Sequence, residues 1–95
     1  MNWLEIIEIR SSKNSKTKLK MQLKGLINEI NSKAQNLVIR IYSLATIDTD
    51  FSIHLLHDSK EIEKDGSSIG LHLVSALKEF GLVSHSVWME MENKK

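Results

Sequence analysis

The sequence contains no cysteine and no proline, and its formal net charge is only +1. Without cysteine the chain can form no disulfide, no thiolate nucleophile and no cysteine-ligated zinc or iron–sulfur site. Its 13 Lys and Arg residues nearly balance its 12 Asp and Glu residues, so the charge excess typical of nucleic-acid-binding and membrane-binding proteins is missing. These absences exclude disulfide-stapled domains, thiol enzymes and strongly basic binding proteins.

Long hydrophobic runs are missing as well. No apolar stretch approaches the roughly 20 residues of a membrane-spanning helix, and residues 1–5 lack the basic segment and apolar run of a signal peptide. We therefore expect a cytoplasmic protein with no membrane partner. The 95 residues, 41% of them hydrophobic and 26% charged, predict a single domain over residues 1–95 with one small core.

The spacing of apolar residues alternates between strand and helix periods along the chain. Residues 3–10 form a short isoleucine-rich run, which is typical of a strand. From residue 16 to 32, leucine and isoleucine recur every three or four positions, which predicts a helix with Ser15 as its N-cap. Two more strands are predicted over residues 37–47 and 51–57, joined by a short acidic turn.

The remaining third of the chain again changes from helical spacing to strand spacing of its apolar residues. Residues 65–68 (Asp-Gly-Ser-Ser) combine a turn with a helix cap. Apolar residues from Ile69 to Phe80 then follow helical spacing, and Gly81 stands where a C-cap glycine is common. Residues 82–91 alternate again and predict the last strand. The order β-α-β-β-α-β predicts an α+β, ferredoxin-like sandwich: a four-stranded antiparallel sheet with both helices on one face.

The central hairpin predicts which residues share a face. A three-residue turn that pairs Ile47 with Phe51 makes one face nearly all apolar, and this face is expected to meet the helices. Its members are Ile41, Ser43, Ala45, Ile47, Phe51, Ile53, Leu55 and His57. The opposite face is mixed, and its members are Val38, Arg40, Tyr42, Leu44, Thr46, Ser52, His54 and Leu56, joined by Trp88 if Val87 and Met89 face the helices. A sheet face open to water is normally polar, so the apolar patch predicts a cover, and a second copy of the chain is the simplest one.

This element order with a half-apolar sheet face resembles the dimeric α+β barrel superfamily. The local stretches 52–55 (Ser-Ile-His-Leu), 70–73 (Gly-Leu-His-Leu) and 80–88 (Phe-Gly-Leu-Val-Ser-His-Ser-Val-Trp) are similar to those of its small uncharacterised single-domain members. The resemblance implies a homodimer in which two ferredoxin-like sheets face each other around a cavity. It brings no particular activity, since the superfamily includes cofactor-free monooxygenases, isomerase-like proteins and others. Edge-to-edge pairing of the two protomers is the alternative geometry.

The expected cavity defines the candidate site. Its predicted lining is Tyr42, Leu44, His54, Leu56 and Trp88. The leading function is a structural or small-molecule-binding module for an apolar or aromatic ligand, and no motif calls for a cofactor. The alternative is a cofactor-independent enzyme of the monooxygenase or isomerase kind with His54 as acid and base, because histidine titrates near neutral pH. Whether the chain is an enzyme stays open.

Other polar residues fit simpler roles. His57 and His85 are interpreted as satisfied core or edge histidines, and their spacing predicts no metal site. A lysine stripe on the first helix, formed by Lys13, Lys16, Lys20 and Lys24 and extended by Lys18 and Lys33, is interpreted as a solvated face. An anion or nucleic-acid contact through this stripe is a further alternative, but no arginine or aromatic residue is interleaved with it to support nucleic-acid recognition.

Overall fold

The computed structural model describes residues 2–33 and 36–91, with the side chain of Lys33 left out. Its elements are β1 (Asn2–Ser11), α1 (Lys16–Lys33), β2 (Leu37–Ser43), β3 (Asp50–Asp58), α2 (Ser68–Leu77), a 3₁₀ turn (Lys78–Phe80) and β4 (Gly81–Met89). The strands form one antiparallel sheet in the order β2-β3-β1-β4. This confirms the predicted α+β ferredoxin-like fold. No described helix is long and apolar enough to span a membrane.

The core lies between one face of the sheet and the two helices. Odd-numbered residues of β1 and β3 point into it, which follows from the two-residue period of a strand. The buried hydrophobic cluster joins Ile7, Ile9, Phe51, Ile53 and Leu55 of the sheet with Leu19, Leu23, Leu26, Ile30, Leu73 and Leu77 of the helices. The heptad-like spacing of these helical leucines places both helices on the same face of the sheet.

The register of the β2–β3 hairpin differs from the prediction. Ser43 lies opposite Phe51, so the expected pairing of Ile47 with Phe51 was wrong and β2 is shorter than predicted. Residues 44–49 form a loop instead, because the Thr49 carbonyl accepts hydrogen bonds from the Ser11 backbone N–H (3.0 Å) and hydroxyl (2.6 Å). The loop is thereby attached to the end of β1. The shift is an even number of residues, so the predicted faces of the paired residues are unchanged.

The end of β2 is less covered than expected. Ile41 is 40% exposed although it lies on the helix-facing side, and Ser43 is exposed as well. The reason is the position of β2 at the edge of the sheet, away from the core, which is centred on β1 and β3. Leu37 and Ile39, nearer the start of the strand, do pack against the core.

Caps lie at both ends of the segment formed by α2 and the 3₁₀ turn, at the predicted residues. The predicted cap is confirmed, since the Ser67 hydroxyl accepts a hydrogen bond from the Gly70 backbone N–H at 3.0 Å. Gly81 is the C-cap of the 3₁₀ turn that continues α2, and it is also the first residue of β4, with an extended backbone (φ 164°) instead of a left-handed one. It lies opposite Ser11, where a Cβ would collide with the backbone carbonyl of Arg10. Close strand contact therefore requires glycine at this position.

Two glycines offer a matched test of this packing. In α1, nothing lies within 4 Å of a Cβ at Gly25, so Gly25→Ala is expected to raise the free energy of unfolding by up to about 1 kcal/mol. Gly81→Ala is expected to lower it by about 1–3 kcal/mol, because the β1 backbone must move. Urea unfolding followed by circular dichroism measures both. A neutral Gly81→Ala would show that the strands tolerate the methyl group and that the steric explanation is wrong.

Candidate functional site

The sheet face opposite the helices, here called the open face, carries its side chains in rows across the four strands. An apolar row is formed by Val38, Leu56, Leu4 and Trp88, which lie opposite one another in register. Two polar rows follow: Arg40, His54, Ile6 and Ser86, then Tyr42, Ser52, Glu8 and Ser84. In the apolar row, Trp88 is 56% exposed and Val38 53%. The open face therefore changes from apolar at one end to polar in its middle.

The five predicted lining residues are spread along this face. Leu56 and Trp88 border a cleft of about 650 Å³ at the apolar end, whereas Tyr42 and Leu44 border a cleft of about 520 Å³ at the other end. Leu44 directly follows β2, and its N–H donates to the Asp50 carbonyl at 2.9 Å. His54 lies between the two clefts and lines neither. A single protomer thus places the five residues on one face but not in one cleft.

His54 has polar and aromatic neighbours on the open face. Its Nε2 is hydrogen-bonded to the Ser52 hydroxyl at 3.0 Å, and its ring centroid lies 4.8 Å from that of Tyr42, at an interplanar angle of 56°. No carboxylate among the described residues is bonded to it. A histidine that acts as acid and base is commonly oriented by a carboxylate. The orientation of His54 depends on Ser52 and Tyr42 instead.

A second polar cluster lies beneath the sheet, on the helix-facing side. Glu5 is completely buried. Its Oε1 is 2.7 Å from His57 Nε2, and its Oε2 is 2.7 Å from His85 Nε2. The Ser67 hydroxyl, which caps α2, also donates to Oε1. One carboxylate thereby joins β1, β3, β4 and the start of α2.

The local structure explains how a carboxylate fits there. Gly70 in the first turn of α2 leaves the space that Glu5 fills, since a Cβ at Gly70 would collide with the carboxylate. The N-terminal end of a helix carries a partial positive charge that favours an anion. Gly66, just before the cap, has φ 104° and packs against the His85 ring. The Glu5 carboxylate is thus packed closely against the segment from Gly66 to Gly70.

The indole of Trp3 packs against the flat face of the His57 ring. The two rings are stacked, with centroids 3.9 Å apart and an interplanar angle of 12°. The Trp3 indole N–H donates to the Ser59 hydroxyl at 2.7 Å, which holds the indole in turn. His57 also lines two clefts, the one of about 650 Å³ already described and one of about 300 Å³ beside Ser67. It is therefore both held in place and adjacent to open space.

Glu5 is not among the site residues predicted from the sequence, although the alternation of β1 already indicated that its carboxylate points into the core. Glu5 alternates with Trp3, Ile7 and Ile9, which all point into the core, and charged residues are almost never fully buried unless paired. The interpretation of His57 and His85 as satisfied histidines agrees with their hydrogen bonds to Glu5. Among the described residues, no group of histidines and carboxylates is arranged to hold a metal ion.

The lysine stripe is partly engaged within the chain. Lys16 forms an ion pair with Asp48 of the hairpin loop, at 2.5 Å. The hydrogen bond from Lys16 and its positive charge lower the pKa of the Asp48 carboxyl below its usual value. Lys20 and Lys24 are exposed, Lys13 precedes the helix, and the side chain of Lys33 lies outside the described structure. Lys16 is therefore not free to extend a continuous anion-binding surface.

The fit between Glu5 and Gly70 can be tested by a double-mutant cycle. Gly70→Ala is expected to lower the free energy of unfolding by about 1–3 kcal/mol, because the new methyl group collides with the carboxylate. Glu5→Asp withdraws that carboxylate, so the double variant should lose less than the sum of the two single losses. Urea unfolding measures each step. Strict additivity would show that the two residues do not compete for the same space.

Comparisons with known proteins address the fold. No model of a protein family matches the chain, and no curated protein matches it in sequence. Among solved structures, Rv0793 from Mycobacterium tuberculosis matches with a TM-score of 0.72 and 14% identity, covering 100% of both chains. A provisionally assigned antibiotic biosynthesis monooxygenase from Nitrosomonas europaea matches with a TM-score of 0.71 and 10% identity, covering 95% of this chain and 90% of that one. The chain therefore shares the ferredoxin-like fold with these proteins, and at such identities the likeness shows the fold alone.

Proposed function

We propose that the chain forms a homodimer that binds a small apolar or aromatic molecule between two facing sheets. The observation that carries this proposal is the apolar row of Val38, Leu56, Leu4 and Trp88, which spans all four strands on the open face. Leaving such a row in water is unfavourable, and a contiguous exposed apolar patch marks an interaction surface. A two-fold related copy offers the same surface as a cover.

The order of the rows suggests what such a dimer would bind. The apolar row stands near one end of the open face, and at the other end Leu44 and Leu82 lie on either side of the Arg10–Asp50 ion pair. The polar rows with His54 and Tyr42 lie between them. Facing sheets would close at the ends and leave the polar middle to contact a ligand. The proposed lining remains Tyr42, Leu44, His54, Leu56 and Trp88, and it suits a flat apolar molecule with one hydrogen-bonding group.

A cofactor-independent enzyme of the monooxygenase or isomerase kind is the second candidate. It is favoured by the likeness in fold to the provisionally assigned monooxygenase from Nitrosomonas europaea. In this case His54 would move a proton of the bound molecule, with Ser52 orienting its ring through the 3.0 Å hydrogen bond. Fold likeness is a weak argument for chemistry, so binding is the leading proposal.

The proposed dimer is tested with two leucines that are equally exposed. Leu44, on the open face, and Leu71, on the outer side of α2, are each 49% exposed. We expect Leu44→Asp to shift the protein from dimer to monomer, because a charge would be buried in the interface. Leu71→Asp should leave the dimer intact. Light scattering measures the mass of each variant.

Two outcomes would contradict this proposal. A wild-type protein that is monomeric across the accessible concentration range would remove the facing sheets. A dimer that survives Leu44→Asp but dissociates with Leu71→Asp would place the interface on the helices instead of the open face.

The polar contact of His54 is tested with two related probes. 1-Naphthol has a hydroxyl group that can bond to His54, and naphthalene has none. His54→Ala is expected to weaken 1-naphthol binding by about 2- to 10-fold, the value of one hydrogen bond, and to leave naphthalene binding unchanged. Quenching of tryptophan fluorescence follows both titrations. An equal loss for both probes would mean that the variant disturbs the cavity itself, and no loss would remove His54 from the ligand contacts.

A further inference from the structure

His57 lies at the edge of the buried Glu5 cluster, and its side chain is 12% exposed. An ionised carboxylate offers only acceptors, so with Glu5 ionised His57 Nε2 donates to Glu5 Oε1 across their 2.7 Å contact. In the neutral ring the lone pair is then on Nδ1. Within residues 2–33 and 36–91, no hydrogen bond engages this Nδ1, since the recorded bonds of His57 go to Glu5 only. The ring is thus set in the tautomer that can accept a proton at Nδ1 while Glu5 stabilises the resulting cation.

The surroundings hold this tautomer firmly. Glu5 cannot turn away, because Ser67 and His85 bond to its two oxygens and Gly70 packs directly against it. Trp3 stacks on the His57 ring and prevents it from tilting. A general base is effective when its position is maintained in this way. By contrast, His54 has only a serine hydroxyl to orient it.

The space beside His57 defines what kind of molecule it could meet. The cleft of about 650 Å³ wraps around the end of the sheet. Its lining combines apolar and aromatic residues with a polar minority. The apolar and aromatic residues include Trp3, Leu4, Leu37, Leu56, Trp88 and Met89, and the polar residues besides His57 are Asn2, Asn36, Asp58 and Glu90. Two indole rings and aliphatic side chains favour a flat apolar molecule, and the volume is within the usual range for small-molecule sites. The cleft is complete within one protomer.

From these observations we infer that His57 is the general base of a proton-abstraction site at the end of the sheet, with Glu5 as its positioning residue. The substrate class is a flat, largely apolar molecule that carries an acidic C–H bond. The cleft shares Leu56 and Trp88 with the proposed His54 cavity, but its base reaches it from the helix-facing side of β3, and the lining residues all come from one protomer.

A reaction that requires only a base tests this inference. In 5-nitrobenzisoxazole, the base removes the hydrogen on C3, the C–H electron pair forms the nitrile, and the ring N–O bond breaks to give 2-cyano-4-nitrophenolate. No oxidant, cofactor or other reactant takes part, and the coloured product is followed directly. We expect the wild-type rate to exceed that of free imidazole at equal concentration. His57→Gln, which keeps a donor towards Glu5, should lower the rate about 100-fold.

The matched control is His72→Ala. His72 is exposed on α2 and should leave the rate unchanged. The role of Glu5 is tested with the variant Glu5→Gln. This variant should have a lower rate, and its ¹⁵N spectrum should show a mixture of the two His57 tautomers instead of one. A loss of packing alone would not change the tautomer.

Three results would overturn the inference. One is a folded His57→Gln variant that keeps the wild-type rate. Another is a wild-type rate no higher than that of free imidazole. The third is a wild-type ¹⁵N spectrum in which the proton of the neutral His57 ring is on Nδ1. This result would contradict the inference even if His57→Gln does not fold. Running the same assay on Leu44→Asp separates the two proposals, because Leu44 lies outside this cleft and a monomer should retain the activity.

Discussion

The carboxylate of Glu5 is the interaction on which the rest of the structure depends. A buried carboxylate is costly unless it is paired and hydrogen-bonded, and this one is completely buried. Its partners come from three other elements, since His57 lies on β3, His85 on β4 and Ser67 at the start of α2. Leaving one such buried group without its partner costs about 1–3 kcal/mol. The position of α2 over the sheet and the need for glycine at position 70 both follow from this one side chain.

The two faces of the sheet have complementary characters. The helix-facing side is mainly apolar around the hydrogen-bonded Glu5 cluster, whereas the open face has an apolar row near one end, polar rows in its middle and the Arg10–Asp50 ion pair at the other end. His57 and Trp88 show how the faces meet: they lie on opposite sides of the sheet and line the same cleft at its end. A molecule in that cleft would therefore contact both the open face and a residue bonded to the buried cluster.

Much of the fold could be predicted from the sequence because periodicity is a local property. The order of helices and strands, the cap at Ser67 and the face of each strand residue all follow from spacing. The hairpin register did not, since it depends on the bonds between Ser11 and Thr49, which are distant in sequence. Glu5 shows the same limit: its core-facing position is visible in the alternation of β1, but its partners lie 52 and 80 residues away. Gly81 does end the 3₁₀ turn as its spacing predicts, but the steric need for glycine there comes from the β1 backbone, which is distant in sequence.

The central position of β1 also has a kinetic consequence. This strand is the first element of the chain, yet its neighbours are β3 and β4, and Trp3 lies opposite Met89. Pairings between such distant segments require large loops to close first, which slows folding relative to helical domains of similar size. During synthesis on the ribosome, β1 must therefore wait for β4 to emerge before both of its edges are paired. Because His85 lies on β4, the Glu5 carboxylate obtains all of its hydrogen-bond partners only when the sheet is completed.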